Sequence, residues 1–262
     1  MENLIPRHKD ILDIAKRDGR VDVDSLAASF NVTPQTIRKD LNFLCDGEML
    51  ERVHGGAIFP SGVANYAYAA RRQHAAAEKS AIGKATAALI PDSASLIINI
   101  GTTTEQVAHA LVRHDSLMVI TNNINVANIM HTGSNAEVVV AGGMLRKEDG
   151  GLVGEATVDF IRQFKVDFAI IGTSAIDEDG TLLDYDFREV RVAQAILQHA
   201  RKTILVSDSM KFERTAPVRI GHLSDVDYFV TDTLPSKDIQ AICHDAGTEI
   251  IVAAPDKSEN EQ

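Results

Sequence analysis

Seven short apolar runs recur through the later part of the chain: Ser95–Ile100, Leu117–Thr121, Glu137–Ala141, Phe168–Ile171, Thr203–Val206, Tyr228–Thr231 and Glu249–Val252. They are short and rich in Val, Ile and Leu, and most are bounded by Gly, Asn or Asp. A strand that is apolar at successive positions is buried on both faces, which requires helices above and below it. Stretches of helical length separate the runs. The pattern therefore predicts an α/β domain with a largely parallel sheet from about residue 78 onward.

The first 58 residues follow another rule. Ile11, Leu12, Ile14 and Ala15 lie at helical spacing in a helix predicted over Arg7–Asp18, and Gly19 stops it. Asp24-Ser25 can cap a short helix, Leu26–Phe30, which ends in a turn at Asn31-Val32. Thr33 is a good N-cap, and Pro34 sits at the first helical position, where a missing N–H costs nothing. This third helix should run to about Asp46, with Gly47 as its stop. Met49–Val53 reads as a strand and His54-Gly55-Gly56 as a tight turn. The expected organisation is a winged helix-turn-helix over 1–58 (the helix-turn-helix itself about 20–39), a linker over 59–77, a ligand-sensing domain over 78–255 and a disordered polar tail over 256–262.

Ile37, Leu41 and Leu44 should face inward, which leaves Gln35, Thr36, Arg38, Lys39 and Asn42 turned away. A helix exposing Gln, Arg, Lys and Asn after a tight turn is what major-groove reading requires. Arg bridges guanine, Gln or Asn bridges adenine, and Lys and Thr reach phosphates. The expected DNA-contacting set is Thr33, Gln35, Thr36, Arg38, Lys39 and Asn42, with Arg52 and His54 on the wing. The net charge of −11 from 26 basic and 37 acidic residues argues against a nonspecific nucleic-acid coat. It leaves room for a DNA reader, which needs only a local basic surface.

In the later domain, strand after strand ends in a Gly/Thr/Asn-rich turn that opens a helix. Asn99 and Ile100 lead into Gly101-Thr102-Thr103-Thr104. Thr121-Asn122-Asn123 follows the second run. Gly142-Gly143, with Arg146 close behind, follows the third, and Gly172-Thr173-Ser174 follows the fourth. Backbone N–H groups at a helix start and threonine hydroxyls hold oxyanions. Ligands of open parallel sheets sit off the carboxyl ends of the strands, so these turns should converge. The expected effector-binding set is Asn99, Gly101, Thr102, Thr103, Thr104, Thr121, Asn122, Asn123, Gly142, Gly143, Arg146, Gly172, Glu189 and Lys211. Neither GxGxxG after the first strand nor GxxxxGK[ST] occurs, which disfavours a dinucleotide and a nucleoside triphosphate. Cys45 and Cys243 form no CxxC and the histidines show no HExxH spacing, so no metal or cofactor is expected. No apolar run approaches a membrane span, and two distant cysteines fit a reducing, cytoplasmic setting.

The segment from Val21 to Leu41, with Asn31-Val-Thr-Pro-Gln-Thr-Ile-Arg-Lys-Asp-Leu41, and the wing Arg52-Val-His-Gly-Gly-Ala57 resemble the DeoR family of bacterial repressors. The turns GTTT, TNN, AGG…R and GTSAID, Asp184–Glu189 and Asp208-Ser-Met-Lys-Phe212 extend the resemblance from about Arg7 to Val252. It implies a DNA-binding repressor of a carbon-catabolic operon, with a sensor domain similar in fold to the sugar-phosphate isomerase and CoA-transferase group. It also implies double-stranded operator DNA as one partner, a homodimer or homotetramer, and a phosphorylated small-molecule effector. Glycerol 3-phosphate is the first choice and another sugar phosphate the alternative. The sequence departs from the family pattern at Ala15, Asn99, Ala175, Ala193, Gln194 and Met210. A rival reading is a sugar-phosphate isomerase, which needs a carboxylate base. Asp177, Asp179, Asp184, Asp186 and Glu189 are candidates, of which Asp186 and Glu189 fit hydroxyl binding as well as proton transfer. A DNA-binding head has no use in such an enzyme, so no catalytic residue is expected.

Overall fold

A computed structural model describes residues 4–18, 20–47, 49–53, 55–58, 68, 72 and 75–253. The chain divides into two units, Met1–Ala67 and Tyr68–Gln262. Much of the expected 59–77 linker and all of the 256–262 tail lie outside the described residues, as does His54.

The first unit contains α1 (Pro6–Asp18), β1 (Arg20–Asp22), α2 (Val23–Ser29), α3 (Pro34–Asp46), β2 (Glu51–Val53) and β3 (Gly56–Ile58). Ile11 and Ala15 of α1, Leu26 of α2, Ile37, Leu41 and Leu44 of α3 and Ala57 of β3 share one core. Two element starts of this unit differ from the sequence reading by more than one residue. The short second helix starts at Val23, not Leu26, because Asp22 is its N-cap: the carboxylate accepts from Ser25 N at 2.8 Å. The wing strand starts at Glu51, not Met49, because the Met49 and Leu50 amides bond back to the Leu44 carbonyl and finish α3. Thr33 caps α3 as expected, accepting from Thr36 N. Asn31, with φ 51°, makes the turn before it, a left-handed conformation that Asn tolerates better than most residues. The wing is a three-stranded antiparallel sheet in the order β1-β3-β2. Gly56 is fixed by close approach: a Cβ there would lie 2.0 Å from the Val21 carbonyl oxygen.

The second unit opens with α4 (Ala76–Ala87). There follow β4 (Ser95–Ile98), α5 (Thr102–Leu111), β5 (Met118–Thr121), α6 (Ile124–Gly133) and β6 (Glu137–Val140). A hairpin, β7 (Met144–Leu145) and β8 (Leu152–Val153), precedes α7 (Glu155–Ile161) and β9 (Val166–Ile171). The chain continues through β10 (Ala175–Ile176), β11 (Thr181–Asp184), α8 (Phe187–Gln198), β12 (Ala200–Val206), a 3-10 turn (Ser209–Glu213) and β13 (Val218–His222). After a second 3-10 turn it ends in β14 (Tyr228–Thr231), α9 (Lys237–Ala246) and β15 (Glu249–Val252).

All seven apolar runs form one parallel sheet, in the order β15-β14-β12-β9-β4-β5-β6. Successive side chains of each strand enter opposite cores. Leu96, Ile98, Ile170 and Ile204 pack with α4, α5 and α6 through Ile82, Leu111 and Met130. Ile97, Ala169, Leu205 and Phe229 pack with α7, α8 and α9 through Ile161, Ile196 and Ile239. Burial on both faces is the physical reason the runs do not alternate. From β4 the chain proceeds outward through β5 and β6, then returns to β9 on the other side of β4 and proceeds through β12, β14 and β15. The strand order thus reverses between β4 and β9, the place where open α/β sheets bind ligands. β10, β11 and β13 make a small separate antiparallel sheet. No helix among the described residues is long and apolar enough to cross a membrane.

Candidate nucleic-acid interface and sensor site

Gln35, Arg38, Lys39 and Asn42 lie at i, i+3, i+4 and i+7 on α3, and all four are exposed. Such spacing puts them on one helix face. Thr33 and Thr36 stand at its start with their hydroxyls 2.9 Å apart. Arg52 of β2 donates from Nη1 to the Asn42 side-chain oxygen, so wing and recognition helix share a polar contact. A groove of about 400 Å³ runs between them, lined by Arg38, Arg52, Val53, Gly55 and Gly56 together with Val23 and Asp24. The face opposite the exposed one holds a feature that the sequence reading missed. Asp40, 7% exposed, accepts from Arg7 Nε at 2.7 Å and lies 3.2 Å from His8 Nε2. His8 in turn stacks on Phe43 with ring centroids 4.8 Å apart. Two residues of α1 thereby fix the inner face of α3. Burial alone would raise the Asp40 pKa. Hydrogen bonds from Arg7 and His8, helped by the Arg7 charge, outweigh it and hold the carboxyl below its usual value.

In the second unit the strand-end turns touch one another. The β4 turn meets the β9 turn: Asn99 N donates to the Ile170 carbonyl, and Gly172 faces the Ile100 carbonyl and Thr104. The β5 turn meets the β7–β8 hairpin through the Asn123–Gly151 bridge and the bond from Leu152 N to the Asn122 carbonyl. The hairpin meets α8, because Arg146 donates to Asp186 at 3.3 Å and to Glu189 at 2.7 Å. The β9 turn meets β11, where Ser174 Oγ donates to Asp184 at 3.0 Å.

Within this ring the expected residues divide by role. Thr104 and Thr121 spend their hydroxyls on backbone carbonyls of Asn99, Gly101 and Ile98. Gly143 is fixed by packing, since a Cβ there would lie 2.0 Å from Thr157 Oγ1. The Gly142 carbonyl accepts from that same hydroxyl. The Thr102 and Thr103 hydroxyls have no protein partner among the described residues, and both side chains lie at the N-terminus of α5. The first N–H groups of a helix lack intrahelical acceptors and carry its positive dipole end. Asn99 and Asn122 are 2% and 0% exposed, and the side-chain oxygen of each has no hydrogen-bond partner among the described residues. A buried unpaired polar atom costs about 1–3 kcal/mol, so each is an acceptor awaiting a donor.

Arg146, expected at the effector site, is enclosed by carboxylates. Its guanidinium lies among Asp149, Asp186 and Glu189, with Asp149 Oδ1 2.9 Å from Nε. Burial opposes its charge, but the surrounding carboxylates, Glu189 first, overcome this and raise its pKa. Burial and then the neighbouring Asp184 push Glu189 up to about 8. Burial likewise raises Asp184, against the opposing influence of Tyr185 N, Ser174, Lys211 and Arg146. The cluster draws on residues 146, 149, 184, 186 and 189, and only side-chain convergence in three dimensions reveals it.

Comparison with known proteins gives the family. The DeoR-like helix-turn-helix domain matches residues 7–63, and the DeoR C terminal sensor domain matches residues 74–233. The chain belongs to the DeoR family. It is 48% identical over 229 residues to the glycerol-3-phosphate regulon repressor of Haemophilus influenzae, covering 87% of this chain and 89% of that protein. It is 44% identical to the protein of the same name from Escherichia coli, over 91% of this chain and 95% of that one. The HTH-type transcriptional repressor CsqR of Escherichia coli is 37% identical over 96% of each chain. Among solved structures, a translation initiation factor eIF-2B from Pyrococcus horikoshii OT3 aligns with a TM-score of 0.46 at 16% identity, over 86% of this chain and 95% of that one. A ribose 5-phosphate isomerase A from Methanocaldococcus jannaschii aligns at 0.38 and 13%, over 51% and 53%. This DeoR-family chain thus pairs a helix-turn-helix unit with a sensor domain, and the curated relatives named above are repressors.

Proposed function

We propose that this protein represses a carbon-catabolic operon by binding operator DNA through α3 and the wing, and that glycerol 3-phosphate releases it. The near-whole-length similarity to glycerol-3-phosphate regulon repressors supports the effector class. The observation that carries the site is a pair of chemistries off the carboxyl ends of the neighbouring strands β4 and β5, beside the β4/β9 reversal. The Gly101–Thr104 helix start offers helix-terminal N–H groups and two hydroxyls without a partner among the described residues, a set suited to a phosphate. Asn99 and Asn122 offer buried, unpartnered oxygens suited to ligand hydroxyls. The carboxylates Asp184, Asp186 and Glu189 extend the acceptor surface, and Lys211 lies near enough to Asp184 to influence its charge. A small polyol phosphate supplies both halves. Operator half-sites are read by paired recognition helices, so the working species is a homodimer or homotetramer.

The test is fluorescence anisotropy on an operator duplex selected from a random pool, titrated with glycerol 3-phosphate and with free glycerol. Release by the phosphate ester alone is expected. Equal action of both ligands overturns the phosphate site. Release only by a hexose phosphate keeps the site and overturns the effector.

A further inference from the structure

Tyr68 is the first residue of the sensor unit, where the chain arrives from the DNA-binding unit. Its hydroxyl donates to Glu105 Oε2 at 2.6 Å and accepts from Asn125 Nδ2 at 3.0 Å. Arg72 lies over its ring, 5.8 Å from the centroid. Neither partner is an idle surface group. Glu105, 4% exposed, stands in the first turn of α5, immediately after Thr102-Thr103-Thr104. Its other oxygen accepts from Asn123 at 3.2 Å and from Asn125 at 3.0 Å. The same Asn125 amide reaches the Asp149 carbonyl at 2.9 Å, and the Asp149 carboxylate holds Arg146.

We infer that Tyr68 is a positioning residue that couples the sensor site to the segment leading to the DNA-binding unit. The inference rests on the sensor-site reading given under Proposed function. The α5 start reaches the phenol in one contact, through Glu105, and Arg146 reaches it in three, through Asp149 and Asn125. A dianion on the α5 N-terminus sits in the same helical turn as the Glu105 carboxylate. Like charges there repel, which pushes aside the carboxylate that Tyr68 uses. At the other end, a ligand hydroxyl entering the Arg146 cluster redistributes the bonds of Asp149, and Asn125 answers to Asp149. Asn125 Nδ2 has two hydrogens and three acceptors: the Tyr68 hydroxyl, Glu105 Oε1 and the Asp149 carbonyl. A gain at one acceptor is a loss at another, so the anchoring of Tyr68 depends on occupancy of the site. Tyr68 itself is no part of that site.

Tyr68→Phe keeps the ring and its stacking with Arg72 but removes the hydroxyl. Two readouts on the full-length protein test it: the rate of tryptic cleavage at Arg72, and the factor by which glycerol 3-phosphate raises the operator Kd. An effector coupling of 5–150-fold is typical. In Tyr68→Phe the factor should fall toward 1, cleavage should quicken, and operator affinity without effector and direct binding of glycerol 3-phosphate should hold. Cleavage at the wild-type rate, or an undiminished coupling factor, overturns the role of Tyr68. If the wild-type protein itself ignores glycerol 3-phosphate, the effector reading has failed separately. The cleavage rate then decides the anchoring: faster in Tyr68→Phe supports it, unchanged overturns it.

Discussion

Removing Arg7 should loosen the recognition helix without touching any residue on its DNA face. Asp40 is nearly buried, with its side chain 9% exposed, while that of Arg7 is 27% exposed. Breaking a buried ion pair by deleting one partner costs about 3–5 kcal/mol, because the surviving charge is left uncompensated. Arg7 keeps some water in the folded state, and His8 Nε2 still lies 3.2 Å from Asp40 without it, which places Arg7→Ala below that range, at about 2 kcal/mol at pH 7. The sign with pH follows from the depressed Asp40 pKa. Stability from the pair is fully present above the unfolded value of about 4, and it is lost as pH falls through the folded value. The gap between wild type and Arg7→Ala should therefore be widest near neutrality and close below about pH 4. Hydrogen exchange of peptides from α1 and α3, compared between the two proteins at each pH, reads the gap directly. At about 1.4 kcal/mol per tenfold, exchange in the variant should be roughly 30-fold faster at pH 7. A ratio below tenfold, or one that stays constant from pH 7 to pH 3.5, refutes the clamp.

The DNA face makes a separate demand. Arg38→Ala should lower operator affinity by about 1–3 kcal/mol if it grips a base edge, with glycerol 3-phosphate binding unchanged by calorimetry; unaltered anisotropy at fixed salt removes Arg38 from the interface. Assembly is checked by light scattering at micromolar concentration, where a multiple of 28.4 kDa is expected and a monomer alone sinks the paired half-site reading.

The parallel sheet was legible because its inner strands are closed in on both faces, while only the edge strands β6 and β15 are half-open. A strand such as Leu96-Ile97-Ile98 must be apolar throughout to satisfy two cores at once, and that leaves a continuous run in the sequence. The start of α3 was legible because Thr33 and Pro34 act through the backbone beside them. The elements that escaped notice lack such local marks. β1 is three residues long and exists through pairing with β3 across more than thirty positions. β7, β8 and β10 are two residues each, too short to show any period. The Arg7–Asp40 pair spans 33 positions and the Arg146–Glu189 pair 43, so neither has a spacing to recognise. The sensor turns were visible as Gly/Thr/Asn clusters, yet composition could not separate Thr104 and Thr121, whose hydroxyls serve the fold, from Thr102 and Thr103, whose hydroxyls have no partner among the described residues.

The arrangement of Arg146 bears on how a small ligand can move an operator equilibrium. An effector shifts two states only by the difference in its affinity for them. A lone arginine facing the site would grip a phosphate in whichever state the protein held, which gives affinity without coupling. Arg146 is instead compensated by Asp149, Asp186 and Glu189, so any anion or polyol that engages it must first rearrange those bonds. Glu189 eases one such rearrangement. With its carboxyl pushed up to about 8 by burial and by Asp184, it takes up a proton near neutral pH more readily than an ordinary glutamate. Rearrangement of Asp149 is felt at once by Asn125 and Glu105, which hold Tyr68. Binding energy is thus exchanged for a change in internal bonding at the place where the chain enters the sensor unit. The same exchange runs backward by linkage, and operator DNA must weaken effector binding by the factor with which the effector weakens operator binding.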